Sequence, residues 1–167
     1  MRTDAIQKAI AQSLQCSVAM ILVLLSTSIV AQSGEGTLTG PDFSGDYILV
    51  SARGATSETA PTTLHIVQSA DSFRVGWIKE GEQHWSTFPI STEWVEDGSG
   101  GQAKAFFEGS GTLIAERSKD TSAGFYRQLD RWTLLGVSTV RVCRSAYVRK
   151  SFYQGKEKSG CAVYSRQ

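Results

Sequence analysis

The feature that most constrains this chain is strict alternation. From Phe43 onward, apolar side chains recur at every second position in runs of about five to ten residues, each closed by Gly, Asp or Ser. A period of two belongs to the extended chain, whose successive Cβ atoms point to opposite faces; a helix burying one stripe needs repeats at three and four. Strands are therefore expected at 43–53, 62–68, 72–79, 83–90, 92–96, 102–108, 112–117, 124–135, 138–149 and 160–166. In the first of these, Tyr47, Leu49 and Ser51 are expected on one face against Asp46, Ile48 and Val50. No segment after residue 31 carries an apolar stripe of helical period. Short connections make neighbours antiparallel, and closing such a meander into a barrel removes the edges that an open sheet would expose. The expected fold is all-β: an antiparallel up-and-down β-barrel of about 8–10 strands, preceded by an N-terminal signal helix.

Residues 1–31 are set apart by a different pattern. Arg2 and Lys8 precede the apolar run Ser17 to Ala31, SVAMILVLLSTSIVA, which ends in small and aliphatic residues before the polar QSGEGTLTG. The run has 15 residues, short of the roughly 18–20 that a helix needs to span a bilayer. It reads as a secretory signal cleaved after Ala31, which leaves no membrane span in the mature chain. Cys16 lies upstream of the apolar run and is incidental. Residues 32–41 are expected as a flexible segment and 42–167 as the barrel domain, with export to the periplasm or the cell exterior. Two cysteines remain, Cys143 and Cys161. An oxidising compartment favours their pairing, and a loop of about 18 residues would contribute about 3 kcal/mol.

Charge is balanced overall and uneven along the chain. Residues 32–97 carry ten acids against three bases (Arg53, Arg74, Lys79), whereas 138–167 carry seven bases against Glu157. An acidic first half meeting a basic end suits a barrel that closes its first strands on its last. No basic stripe is interleaved with stacking aromatics, so nucleic acid is not an expected partner. His65 and His84 show no ligand spacing with the cysteines, and no metal or other cofactor is expected.

The stretches DFSGDYILV, PTTLHIVQSADSFRV, GSGTLIAE and RWTLLGVSTVRV resemble those of exported bacterial lipocalin-like proteins. In that family an F-x-G-x-W opening strand leads into repeated hairpins, and a Trp-Thr-Leu strand falls late in the chain. The likeness covers roughly residues 42–166 and implies a lipocalin-like barrel. Tyr47 stands where the family pattern has tryptophan. The late arginine that packs over this aromatic in lipocalins corresponds to Arg144, Arg149 or Arg166.

Alternation also proposes an interior. With Tyr47 and Leu49 facing in, the matching faces are Leu64/Ile66/Gln68, Phe73/Val75/Trp77, Leu113/Ala115, Trp132/Leu134 and Val140/Val142/Arg144. Ala162, Tyr164 and Arg166 then face in, and Cys143 and Cys161 face out. Tyr47, Phe73, Trp77, Trp132 and Tyr164 are the candidate walls of a ligand cup, with Arg144 as an anchor for a carboxylate or phosphate. The competing reading is that these aromatics simply fill the core.

The tract WVEDGSGGQ raises the question of serine chemistry. His65, Asp71 and Ser99 follow the chain order of a trypsin-type triad, but the tract reads Asp97-Gly98-Ser99-Gly100-Gly101, with aspartate and first glycine exchanged. His65 sits inside a regular strand pattern, and the chain is far shorter than paired protease barrels. Asp97 to Gly101 is expected as a hairpin turn with Asp97 as local acceptor. Glu80, Glu82, Glu93 and Glu96 flank turns, where solvated charge is ordinary. The expected function is non-enzymatic: an exported carrier of a small apolar or amphiphilic ligand. The alternative is an envelope interaction module with a filled barrel, contacting its partner through Arg149 to Lys158. An interior space of about 300 Å³ or more separates the two.

Overall fold

The computed structural model describes residues 39–150 and 155–167. The expected signal segment, Cys16 and most of the expected flexible segment lie outside these residues. Ten strands run through the described chain: β1 Gly45–Gly54, β2 Thr63–Gln68, β3 Ser72–Lys79, β4 Glu82–Pro89, β5 Val95–Glu96, β6 Gln102–Glu108, β7 Thr112–Thr121, β8 Gly124–Leu134, β9 Thr139–Lys150 and β10 Lys156–Arg166. They form one sheet in the order β4-β3-β2-β1-β10-β9-β8-β7-β6-β5, every ladder antiparallel. The fold is therefore an all-β, nearly closed barrel. β5 is shorter than expected, whereas β7 and β10 are longer.

The first strand does pair with the last. β1 joins β10 from Tyr47↔Arg166 to Gly54↔Gly160. The seam falls elsewhere, between β4 and β6. There Ser91 N donates to Ala105 O at 2.7 Å, and Ile90 bridges Ala105 in parallel. Arg117 of β7 stitches the same seam, donating to Ser86 Oγ at 3.2 Å and to Thr87 O at 3.1 Å on β4. Its guanidinium lies 4.9 Å from the Phe88 ring centre, so it supplies both hydrogen bonds and a cation–π contact.

The charge asymmetry acts at the closure only at longer range: the Asp42 pKa is lowered first by its Ser44 hydrogen bonds, and the positive charge of Arg166 is one of the smaller causes. Among the described residues, no ion pair joins an acid of 32–97 to a base of 138–167. The β1–β10 junction is made by backbone hydrogen bonds and buried faces, which depend on register rather than on net charge.

The interior follows the alternation with one break. Tyr47, Leu64, Ile66, Phe73, Val75, Leu113, Ala115, Trp132, Val140, Val142, Ala162 and Tyr164 are buried in one core, as expected. In β1, however, Leu49 faces Tyr164 and Ser51 faces Val163, so Val50 is an extra residue opposite a continuous partner strand. This β-bulge reverses the alternation beyond it. Ser51, expected inward, is exposed, and Ala52 packs on the core in its place.

The expected disulfide is present. Cys143 and Cys161 are directly opposed on β9 and β10, with Cα atoms 4.0 Å apart. They lie on the face opposite Val142 and Ala162. A disulfide accords with an oxidising, exported location. No helix among the described residues is long and apolar enough to cross a membrane.

Candidate functional site

The inner face of the barrel divides into two regions. In one, aromatic rings fill the space. Phe73 is fully buried and meets Phe43 edge-on at 6.2 Å, Phe88 at 6.5 Å and Trp132 at 5.2 Å. Phe107, Leu113 and Val140 complete this packing, and the chain before β1 lies against it. A Cβ at Gly40 would stand 2.1 Å from the Phe107 ring, so only glycine lets the backbone approach this closely. Gln68 holds the same segment, donating to Pro41 O at 3.1 Å and accepting from Phe43 N at 3.1 Å.

Two expected wall residues belong to this filled region and not to a cup. Tyr47 spends its hydroxyl on Phe43 O, 2.9 Å away, and Arg166 lies 5.5 Å from its ring centre. Arg166 Nη2 also donates to Tyr47 Oη at 3.1 Å and to the Ser44 carbonyl. Of the three arginines considered, Arg166 is therefore the one that covers this aromatic. Arg144 is committed to Asp130. Phe73 is excluded from a cup by its packing: it has no free face left.

The other region is an open cup of about 290 Å³. It exists because the side chains there are small. Val75, Val142, Ala162 and Ala60 surround a space that phenylalanines occupy in the filled region. Trp77, Trp132, Phe88 and Tyr164 form its aromatic walls, and the β1–β2 loop contributes Thr56, Thr59, Ala60 and Pro61. Thr56 is held over the sheet by donating to Arg53 O at 2.8 Å and to Cys161 O at 3.0 Å. The expected residues Trp77, Trp132, Arg144 and Tyr164 thus meet around one cavity. At about 290 Å³ it falls just short of the roughly 300 Å³ that separates a ligand cup from a filled barrel, so volume alone does not decide between the two readings.

The polar side of the cup is an ion pair. Asp130 and Arg144 are directly opposed on β8 and β9. Arg144 Nε donates to Asp130 Oδ1 at 2.7 Å, and Nη2 donates to Oδ2 at 2.8 Å. Gln128 Nε2 adds a third bond to Oδ2 at 2.7 Å, while the Tyr126 hydroxyl bonds the Gln128 amide oxygen. Asp130 is only 1% exposed, whereas the Arg144 side chain is 45% exposed. One edge of the guanidinium is locked and the other is open. Burial works against the Arg144 charge, but the hydrogen bonds and charge of Asp130 outweigh it and raise its pKa. Burial also pushes the Tyr164 hydroxyl up to about 12, so it stays protonated.

Asp130 is the site residue that sequence reasoning missed. The signal was present, because Asp130 stands two positions before Trp132 and the same alternation turns it inward. Trp132 adds a second feature: its indole Nε1 is buried with no hydrogen-bond partner among the described residues. A buried donor left unpaired is costly, and native interiors usually satisfy it.

The Ser99 tract forms a turn. Asp97 Oδ1 accepts from Ser99 N at 2.9 Å, Ser99 Oγ at 2.7 Å and Gly101 N at 3.2 Å. Gly98 and Gly100 have φ of 73° and 77°, values that favour glycine. Asp97 Oδ2 lies 3.1 Å from Arg117 Nε, so the turn also anchors the seam arginine. Burial raises the Asp97 pKa, but the Ser99 and Gly101 bonds and Arg117 prevail and hold it below the ordinary 3.8. His65 faces Asp46 and Trp85 rather than Ser99. Among the described residues, no group of three or more His, Cys, Asp and Glu side chains forms a metal site.

The fold and site define a nearly closed β-barrel with one filled region and one cup whose wall carries an ion pair, its acid buried and its arginine partly exposed. No protein-family model matches the chain, and no curated protein matches it in sequence.

Proposed function

We propose that this protein is an exported, non-enzymatic carrier that holds a small, partly apolar molecule in the barrel cup. The observation that carries this reading is the convergence of Trp77, Trp132 and Tyr164 with the open edge of Arg144 around one space of about 290 Å³. Aromatic walls with a few placed polar groups are the usual composition of a small-molecule site. Filled with water-sized groups, the cup holds roughly ten, so the ligand is small. Arg166 over Tyr47 further supports the lipocalin-like reading, since that pairing is the one the resemblance implies.

A second reading rests on the filled region. A barrel packed with Phe43, Phe73, Phe88 and Phe107 needs no ligand for stability, and would leave function to the outer surface. Arg149, Lys150, Lys156 and Lys158, all exposed, are the contact candidates for an envelope module.

Native mass spectrometry of the exported protein purified from its own source separates the two. The carrier reading expects a co-purifying small molecule that dissociates on mild activation. A homogeneous empty protein, combined with no change in Trp77 or Trp132 fluorescence across a small-molecule panel, would leave the module reading. The same spectra with and without reductant should differ by two hydrogens, from Cys143–Cys161.

A further inference from the structure

The polar groups of the cup are unevenly spent, and the imbalance points to a ligand class. Asp130 is the one acid on the cup wall among the described residues, and both its oxygens are occupied. The wall hydroxyls can also accept, but the unpaired charged group is a donor. Arginine has five N–H groups in a planar fork. Asp130 takes one from Nε and one from Nη2, which leaves the end of the guanidinium, built from Nη1 and Nη2, without a partner among the described residues. The Tyr164 hydroxyl makes no hydrogen bond among them either, and its raised pKa keeps its proton in place. Ser86 Oγ accepts from Arg117 and retains its own proton to give. Trp132 Nε1 is also unpaired, but its burial closes it off from the cup, so it has no part in holding a ligand. By contrast, Thr56 and Thr59 have already spent their hydroxyl protons on backbone carbonyls.

The wall carries Arg144 and Lys79 against Asp130. Lys79 is mostly exposed and forms an ion pair with Glu80 at 3.9 Å, so Arg144 is the cation that matters to the cup. Asp130 has a positioning role: by gripping the side edge of Arg144 it fixes the plane of the guanidinium and presents its end edge to the cup. Two parallel N–H groups in a fixed plane match the two oxygens of a carboxylate.

Resting on the reading that the cup holds a small molecule, we propose that its ligand is a small monocarboxylate, with its carboxylate on the end edge of Arg144 and the Tyr164 hydroxyl and its apolar body between Trp77 and Trp132. A body of about one aromatic ring fits within the roughly 290 Å³ of the cup.

The test uses the full mature protein and three probes built on one phenyl ring: benzoate, benzamide and benzylamine. Binding is read by calorimetry and by the indole N–H resonances of Trp77 and Trp132. Benzoate is expected to bind about tenfold or more tightly than benzamide, and benzylamine not to bind. In the paired variant Asp130→Asn/Arg144→Gln, which removes both charges together, the benzoate preference should vanish. Tyr164→Phe, which keeps the ring and should fold, is expected to weaken benzoate severalfold. Benzamide or benzylamine binding as well as benzoate to the unaltered protein would overturn the carboxylate assignment while leaving the cup as a binding site. If none of the three moves the Trp77 or Trp132 resonances at millimolar concentration, both the assignment and the carrier reading fall.

Discussion

The two regions of this barrel are built on the same strands and differ only in what each strand points inward at successive levels. Along β3, Phe73 is fully buried, Val75 leaves room and Trp77 is only partly buried at the cup. Along β9 the same progression runs from Val140 through Val142 to Arg144. One region spends its side chains on packing. The other spends small residues on empty space and then places an ion pair beside it. If the cup holds a ligand as proposed, stability and ligand uptake are separated along the barrel, and a substitution should affect mainly one or the other.

The largest contrast to test is Phe73→Ala against Trp77→Ala. Phe73 touches three other rings, and its loss should cost about 3–5 kcal/mol in denaturant unfolding, with incomplete collapse of the cavity. Trp77 is partly exposed and stacks on His84 at 5.8 Å, so its loss should cost only about 1–2 kcal/mol. Ligand uptake should respond in reverse order. Equal destabilisation by the two substitutions would erase the division.

The ion pair offers a sharper comparison within the cup. Asp130→Ala leaves Arg144 without its partner. Breaking a fully buried pair costs roughly 3–5 kcal/mol, but Arg144 is nearly half-exposed, which reduces the expected loss to about 1–3 kcal/mol. Asp130→Asn/Arg144→Gln should be less destabilising than Asp130→Ala, because no orphan charge remains. A double-mutant cycle measures the coupling directly, and additivity would show that the pair is solvated.

Acid should weaken the seam where Asp97 holds it. Its folded pKa lies below the unfolded value near 3.8. Its contribution is therefore complete above about pH 4 and is lost as pH falls through the lower folded value. Asp97→Asn should flatten this acid limb in unfolding measured from pH 5 to pH 2. An unchanged limb would assign it to other carboxylates, such as Asp42, whose pKa is lowered by its Ser44 hydrogen bonds.

The smallest effect is expected at Ser99. Its hydroxyl duplicates a bond that its own backbone N–H already makes to Asp97. Ser99→Ala should change stability by less than about 0.5 kcal/mol and leave ligand uptake unchanged. Loss of any activity in that variant would reopen the reading of the turn.

Much of this was legible from residue order, and the exceptions have specific causes. Alternation placed Trp77, Trp132, Arg144 and Tyr164 on the inner face, and these four meet around the cup. It also placed Tyr47 and Phe73 inside, correctly as to face but not as to level, because the period of two says nothing about depth along the barrel. Ser51 failed for a different reason. The bulge at Val50 inserts a residue that only the partner strand reveals. Asp130 was within reach of the same rule that found Trp132, and was missed because a charged residue on an inward face invites reassignment to the surface.

The all-β class, most strand positions, the inward faces and the cysteine pair can be read from residue order, because backbone pleat and local turn chemistry are encoded over a few residues. That the seam lies between β4 and β6, that Arg166 rather than Arg144 or Arg149 covers Tyr47, and that Asp130 grips Arg144 emerge only from the assembled sheet. Each of these depends on register between strands distant in sequence, and a shift of one residue would turn every one of those side chains to the opposite face. The cup is of the same kind: it is the volume left over when all inward side chains are assembled.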